Sequence, residues 1–96
     1  MGGVHPQRIA WEGACVFVDA ANADAYYWLS DMVGKYLGVI YRLELAETRL
    51  RLQAEEASHA EAGAWRARLD ELLEDRPEMT PVVQQLVTET AYRLSR

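Results

Sequence analysis

The sequence predicts an all-α fold, a bundle of helical hairpins built around one long central helix. Three observations predict it: apolar residues recur at helical spacing along most of the chain, alanine is abundant, and no strand-like segment has a partner to pair with. Ninety-six residues with half of them hydrophobic fit a single domain, 1–96, with a modest core.

The first helix is expected near 6–20. His5-Pro6 reads as its start, because a proline in the first turn gives up no hydrogen bond. Two apolar sets follow at helical spacing, Ile9 with Val16, and Trp11 with Cys15 and Val18. Cys15-Val16-Phe17-Val18 is also compatible with a short buried strand, but a lone strand would be unpaired, so helix is preferred. Asn22 and Asp24 supply a stop and a new N-cap.

The central helix, about 24–60, carries the strongest pattern. With Leu29 at heptad position a, the a residues are Leu29, Tyr36, Leu43, Leu50, Ala57 and Ala64, and the d residues are Met32, Val39, Ala46, Gln53, Ala60 and Ala67. All but Gln53 are apolar or aromatic, as a coiled-coil-like seam requires. Val33 and Ile40 widen the stripe, and Tyr41, Leu45 and Leu52 mark a second face. An unbroken helix from Asp24 to Asp75 would be about 78 Å long, far beyond the roughly 12–13 Å radius of gyration of a compact domain this size. A break is therefore expected in Ser58-His59-Ala60-Glu61-Ala62-Gly63, with Gly63 as the C-cap; the alternative is a continuous rod.

Two shorter helices complete the set, near 64–75 and 80–94. Trp65, Leu69, Leu72 and Leu73 form one buried stripe that Pro77 ends. Thr80-Pro81 reads as N-cap and first helical residue of the last helix, whose core face is Val83, Leu86, Val87, Thr90 and Leu94.

Composition excludes several functions. Fifteen acidic against ten basic residues leave a net charge of −5, which disfavours non-specific nucleic-acid binding. The apolar window Ala25–Leu45 is interrupted by Asp31, Lys35, Arg42 and Glu44, so no membrane span is expected. The first residues lack a secretory pattern and Cys15 is a single cysteine, which together predict a cytoplasmic protein. No spacing assembles a nucleophile with a base, and no glycine-rich phosphate loop follows a strand, so neither an enzyme nor a cofactor is expected.

Ser30, Gly34 and Gly38 recur every four residues among aromatic neighbours. Glycine inside a helix costs about 1 kcal/mol relative to alanine, and a close helix crossing would offset it. That crossing is with another helix of the chain, with a second copy, or with a partner helix; Lys35 and Arg42 are too few to attract a lipid surface strongly. The expected interface is Leu29, Met32, Gly34, Tyr36, Gly38, Val39, Ile40, Leu43 and Leu50, because stripes on two faces of this stretch exceed what three short helices can cover. Along a parallel pair, Arg42 would meet Glu47 favourably, but Glu56 would meet Glu61 with like charge, so an antiparallel or shorter seam fits better.

Glu55, Glu56 and His59 contain a Glu-Glu-x-x-His step that resembles the metal-binding helix of ferritin-like and encapsulated-ferritin carboxylate proteins. The resemblance covers about five residues. It implies a carboxylate metal protein, but the further carboxylate such a site needs has no counterpart near Ala25-Tyr26-Tyr27, and no metal is expected. Trp11-Glu12-Gly13 matches the Trp-x-Gly element of the WXG100 helical hairpins, where that element makes the central turn; here it lies near the N-terminus, and the acidic residue of that family's export signal is missing after Tyr92.

These readings predict a non-enzymatic helical module that self-associates, completes its bundle by oligomerisation and scaffolds another protein. The alternative is a small acidic protein of the antitoxin or immunity type that masks a basic partner, suggested by the acidic excess after Glu44.

Overall fold

A computed structural model describes residues 6–95; His5 and Arg96 lie outside them. The described chain is all-helical: α1 (Pro6–Ala21), α2 (Ala25–Tyr36), α3 (Val39–Ala54), α4 (Ser58–Asp75), a 3₁₀ turn (Pro77–Met79) and α5 (Thr80–Leu94). Its Cα radius of gyration is 12.4 Å. No helix among the described residues is long and apolar enough to cross a membrane.

The long helix expected over 24–60 is not formed. It is broken first at Leu37-Gly38, where the N–H groups of both residues donate to Val33 O, at 2.8 and 3.0 Å, and close the end of α2. Gly38 then takes φ 113° and ψ 166°, a region open essentially to glycine alone. Its carbonyl receives Arg42 N–H at 3.2 Å and starts α3 in a new direction. Gly38 is thus not an interior helix residue with a crossing partner but the hinge between two helices.

A second break also falls elsewhere than expected. Glu55 is extended, with its N–H on Arg51 O at 3.0 Å, and α4 begins at Ser58, earlier than residue 64. Gly63 lies inside α4 with open space around it, so it caps nothing. At the other end, the 3₁₀ turn runs directly into α5 and Met79, not Thr80, takes the N-cap position.

The central element is α1, which packs mainly on α4 and α5 and also touches α2 and α3. Small residues make this possible. Ala10, Gly13, Ala14, Ala20 and Ala21 are buried, and a Cβ added to Gly13 would stand 2.8 Å from Leu69 Cδ1 and 3.2 Å from Val87 Cγ2. A close approach of this kind is also present at Gly34 of the Ser30, Gly34, Gly38 strip, where an added Cβ would stand 2.9 Å from Arg42 Cδ of α3. Phe17 meets Trp65 edge-on at 5.5 Å in the middle of the core. The expected α1 face is displaced accordingly: Ile9 and Val18 are buried, but Trp11 is exposed and Cys15 and Val16 are half-buried. In α4, Trp65, Leu69, Leu72 and Leu73 are buried, as are Val83, Leu86, Val87 and Thr90 in α5, where Leu94 is half-buried.

Candidate functional site

Residues of α3 divide between two faces in an unusual sense. The face toward the body carries Thr48 and Leu45, both fully buried, with Tyr41 and Leu52 half-buried beside them. It is held less by close helix packing than by long polar side chains reaching across to α4. Thr48 Oγ1 donates to Glu61 Oε1 at 2.9 Å and accepts the Trp65 Nε1–H at 2.8 Å. Arg51 clasps the same carboxylate, its Nε 2.6 Å from Oε2 and its Nη2 3.1 Å from Oε1. Arg68 reaches back from α4 to Glu44 at 3.1 Å and stacks on Trp65.

These contacts set the charges of the groups involved. The hydrogen bonds from Arg51 hold the Glu61 carboxyl below its ordinary range against the opposing effect of burial, with Thr48 and Arg68 assisting. The same pairing strengthens the hold of Arg51 on its proton. Burial, together with Glu44, Glu71 and Asp75, raises the Tyr41 phenol. Arg49 ties α3 to the end of α1 by donating to Ala21 O at 3.0 Å and Ala23 O at 3.4 Å, and its guanidinium lies over Tyr26 and Tyr27.

The opposite face of α3 is aliphatic and faces solvent. Val39, Ile40, Leu43 and Leu50 are exposed, from 55% at Leu43 to 65% at Leu50, and Tyr36 is exposed at the end of α2. Val39, Leu43, Ala46 and Leu50 fall at i, i+4, i+7 and i+11, one stripe of a single helix. A surface helix ordinarily turns such a stripe inward and its charges outward. In α3 much of the charge is spent on the body of the domain and much of the aliphatic surface is left outside.

Of the nine residues expected at an interface, Val39, Ile40, Leu43 and Leu50 therefore lie on this outward side of α3, and Tyr36 is exposed at the end of α2. Leu29 is fully buried in the core, and Met32 is half-buried. Gly34 is covered from within the chain by Arg42, whose Cδ would be 2.9 Å from an added Cβ. The like-charge meeting of Glu56 and Glu61 does not arise on α3, since Glu56 lies in the turn after it and Glu61 is buried against Arg51.

A second surface feature was not foreseen. An apolar groove of about 410 Å³ runs between α2 and α5, walled by Trp28, Met32 and Tyr36 on one side and Val82 and Leu86 on the other, with Gln85 and Glu89 in its lining. Its signal in the sequence is the i, i+4, i+8 spacing of Trp28, Met32 and Tyr36, but nothing in the sequence says that α5 stops short of filling the space between. Arg93 lies on the Trp28 ring at 4.1 Å.

The two short motifs are placed apart from these features. Glu55, Glu56 and His59 are exposed around the turn into α4, and Ser58 Oγ donates to Glu56 Oε2 at 3.2 Å. Among the described residues no group of three or more His, Cys, Asp and Glu side chains could hold a metal ion. Trp11-Glu12-Gly13 is inside α1, where it makes no turn. No protein-family model, curated protein or solved structure matches the chain.

Proposed function

We propose that this protein is a non-enzymatic helical interaction module whose partner is a second copy of itself, joined through the outward face of α3. The orientation of α3 carries the reading. Val39, Leu43 and Leu50 stand in solvent on one stripe of α3, with Ile40 exposed beside them and Tyr36 exposed at the end of α2, while Thr48, Arg49 and Arg51 anchor α3 from its other side. Contiguous exposed apolar surface of this kind marks contact sites, and a stripe along one helix suits a helical surface laid against it.

The reading is tested by light scattering over a concentration series. The wild-type chain is expected to rise to dimer mass or above with concentration. Leu43→Glu combined with Leu50→Glu should remain at monomer mass with an unchanged helical circular dichroism spectrum. A wild-type chain that stays monomeric throughout the series, or a double variant that associates as well as wild type, would overturn it.

A further inference from the structure

We infer that the two copies are joined by exchange: the α1–α2 unit of each chain packs on α3–α5 of the other, and Gly38 straightens so that α2 and α3 run as one helix. The inference rests on the self-association proposed above and adds how the copies are connected.

The apolar pattern of the sequence runs through the bend without a change of phase. Leu29, Met32, Tyr36, Val39, Leu43 and Leu50 keep one heptad phase straight through Gly38, as though no break were there. In the bent chain that single stripe meets opposite surroundings: Leu29 is fully buried in the core, and Leu43 and Leu50 face solvent.

The whole connection between the two helices is Leu37-Gly38. A Cβ on Gly38 would meet nothing within 4 Å, so it is the backbone angle of φ 113° that demands glycine there, not packing. A tight connection held in a sparsely populated conformation favours exchange between copies, because straightening it relieves the bend while every core contact can be remade with the partner.

Geometry agrees. The core residues of α2 (Leu29, Val33, Leu37) and those of α3 (Tyr41, Leu45, Thr48, Leu52) would lie about a quarter-turn apart on a straight helix at 3.6 residues per turn. Such a helix, about 45 Å from Ala25 to Ala54, presents one face to each of two bodies. The straightened helices pass one another at the two-fold axis, where Tyr36, Val39 and Leu43 flank the former hinge.

Area decides between exchange and simple face-to-face contact. A stable interface engages roughly 20–30 residues a side, and the outward side of α3 offers four large exposed side chains. Exchange adds the buried surface of α1, including Ile9, Phe17 and Val18, to what holds the two chains together.

The test uses the full chain, refolded from denaturant at high protein concentration and followed by light scattering. Inserting Gly-Ser-Gly after Gly38 lets the chain turn back without the hinge constraint, so this variant keeps only the α3 face for association and its dimer dissociation constant is expected to rise by about tenfold or more. Gly38→Ala disfavours the bend and suits the straight helix, so its dimer dissociation constant should fall by about tenfold or more. Should the alanine variant fail to fold, the lengthened hinge alone decides. A lengthened-hinge chain that dimerises with the wild-type constant overturns exchange but leaves self-association standing. A wild-type chain that is monomeric at every concentration removes both.

Discussion

The hydroxyl of Thr48 donates to the Glu61 carboxylate at 2.9 Å, with both residues buried between α3 and α4. Because the same oxygen accepts the Trp65 indole N–H at 2.8 Å, one threonine pairs with two buried residues at once. Thr48→Val keeps the volume but leaves the Trp65 N–H unpaired, and should lower the free energy of unfolding by about 1–3 kcal/mol in urea titrations. Thr48→Ser, which retains the hydroxyl, should lose less. Equal losses in the two variants would show that the methyl group, not the hydrogen bonds, matters at this position.

Glu61 also makes stability depend on pH. Its carboxyl ionises more readily in the folded chain than in the unfolded one, so the folded state binds fewer protons in that range. The stabilisation is complete above the ordinary carboxyl value of 4.5 and is lost as pH falls through the lower folded value. Glu61→Gln should be less stable than wild type at neutral pH, and the gap should narrow as pH is lowered from about 7 to about 3. Denaturant unfolding at a series of pH values measures this, and a constant gap would contradict the assignment.

Two glycines should respond with opposite signs to the same substitution. At Gly13 an added methyl group would lie 2.8 Å from Leu69 Cδ1, and Gly13→Ala should destabilise by about 1–3 kcal/mol through overpacking. At Gly63 the space is open and the backbone is helical, so Gly63→Ala should stabilise by about 0.5–1 kcal/mol. Thermal unfolding of the two variants beside wild type is sufficient to see the contrast.

Arg49 closes the end of α1 from a distance of 28 residues by donating to Ala21 O. Arg49→Ala removes that bond and the cover over Tyr26 and Tyr27, and should cost about 1–2 kcal/mol. Arg49→Lys keeps the charge but loses the planar stacking, and should restore only part of the loss. Full recovery by lysine would mean that charge alone is at work.

Much of the helical content could be read from periodicity. The faces of α4 and α5 emerged directly, since Trp65, Leu69, Leu72 and Leu73, and Val83, Leu86 and Val87, each sit on one clean stripe. The break at Gly38 could not be read that way, because the heptad phase continues across it and glycine is found both inside helices and at their ends. The role of α1 was hidden for a different reason: its core contacts run through alanine and glycine, which weigh little in any apolar pattern but allow the closest approach. Five of the expected interface residues are exposed, while Leu29 is in the core because the hinge separates it from the rest of its stripe. The groove between α2 and α5 depends on how far two distant helices stand apart, which no local spacing encodes.

The central position of α1 orders events during synthesis. Of the five helices described, α1 precedes its main partners, α4 and α5, by most of the described chain, so its buried face lacks its main cover until those two helices have left the ribosome. Until then Ile9, Phe17 and Val18 are available to any apolar surface nearby, including that of a neighbouring nascent chain.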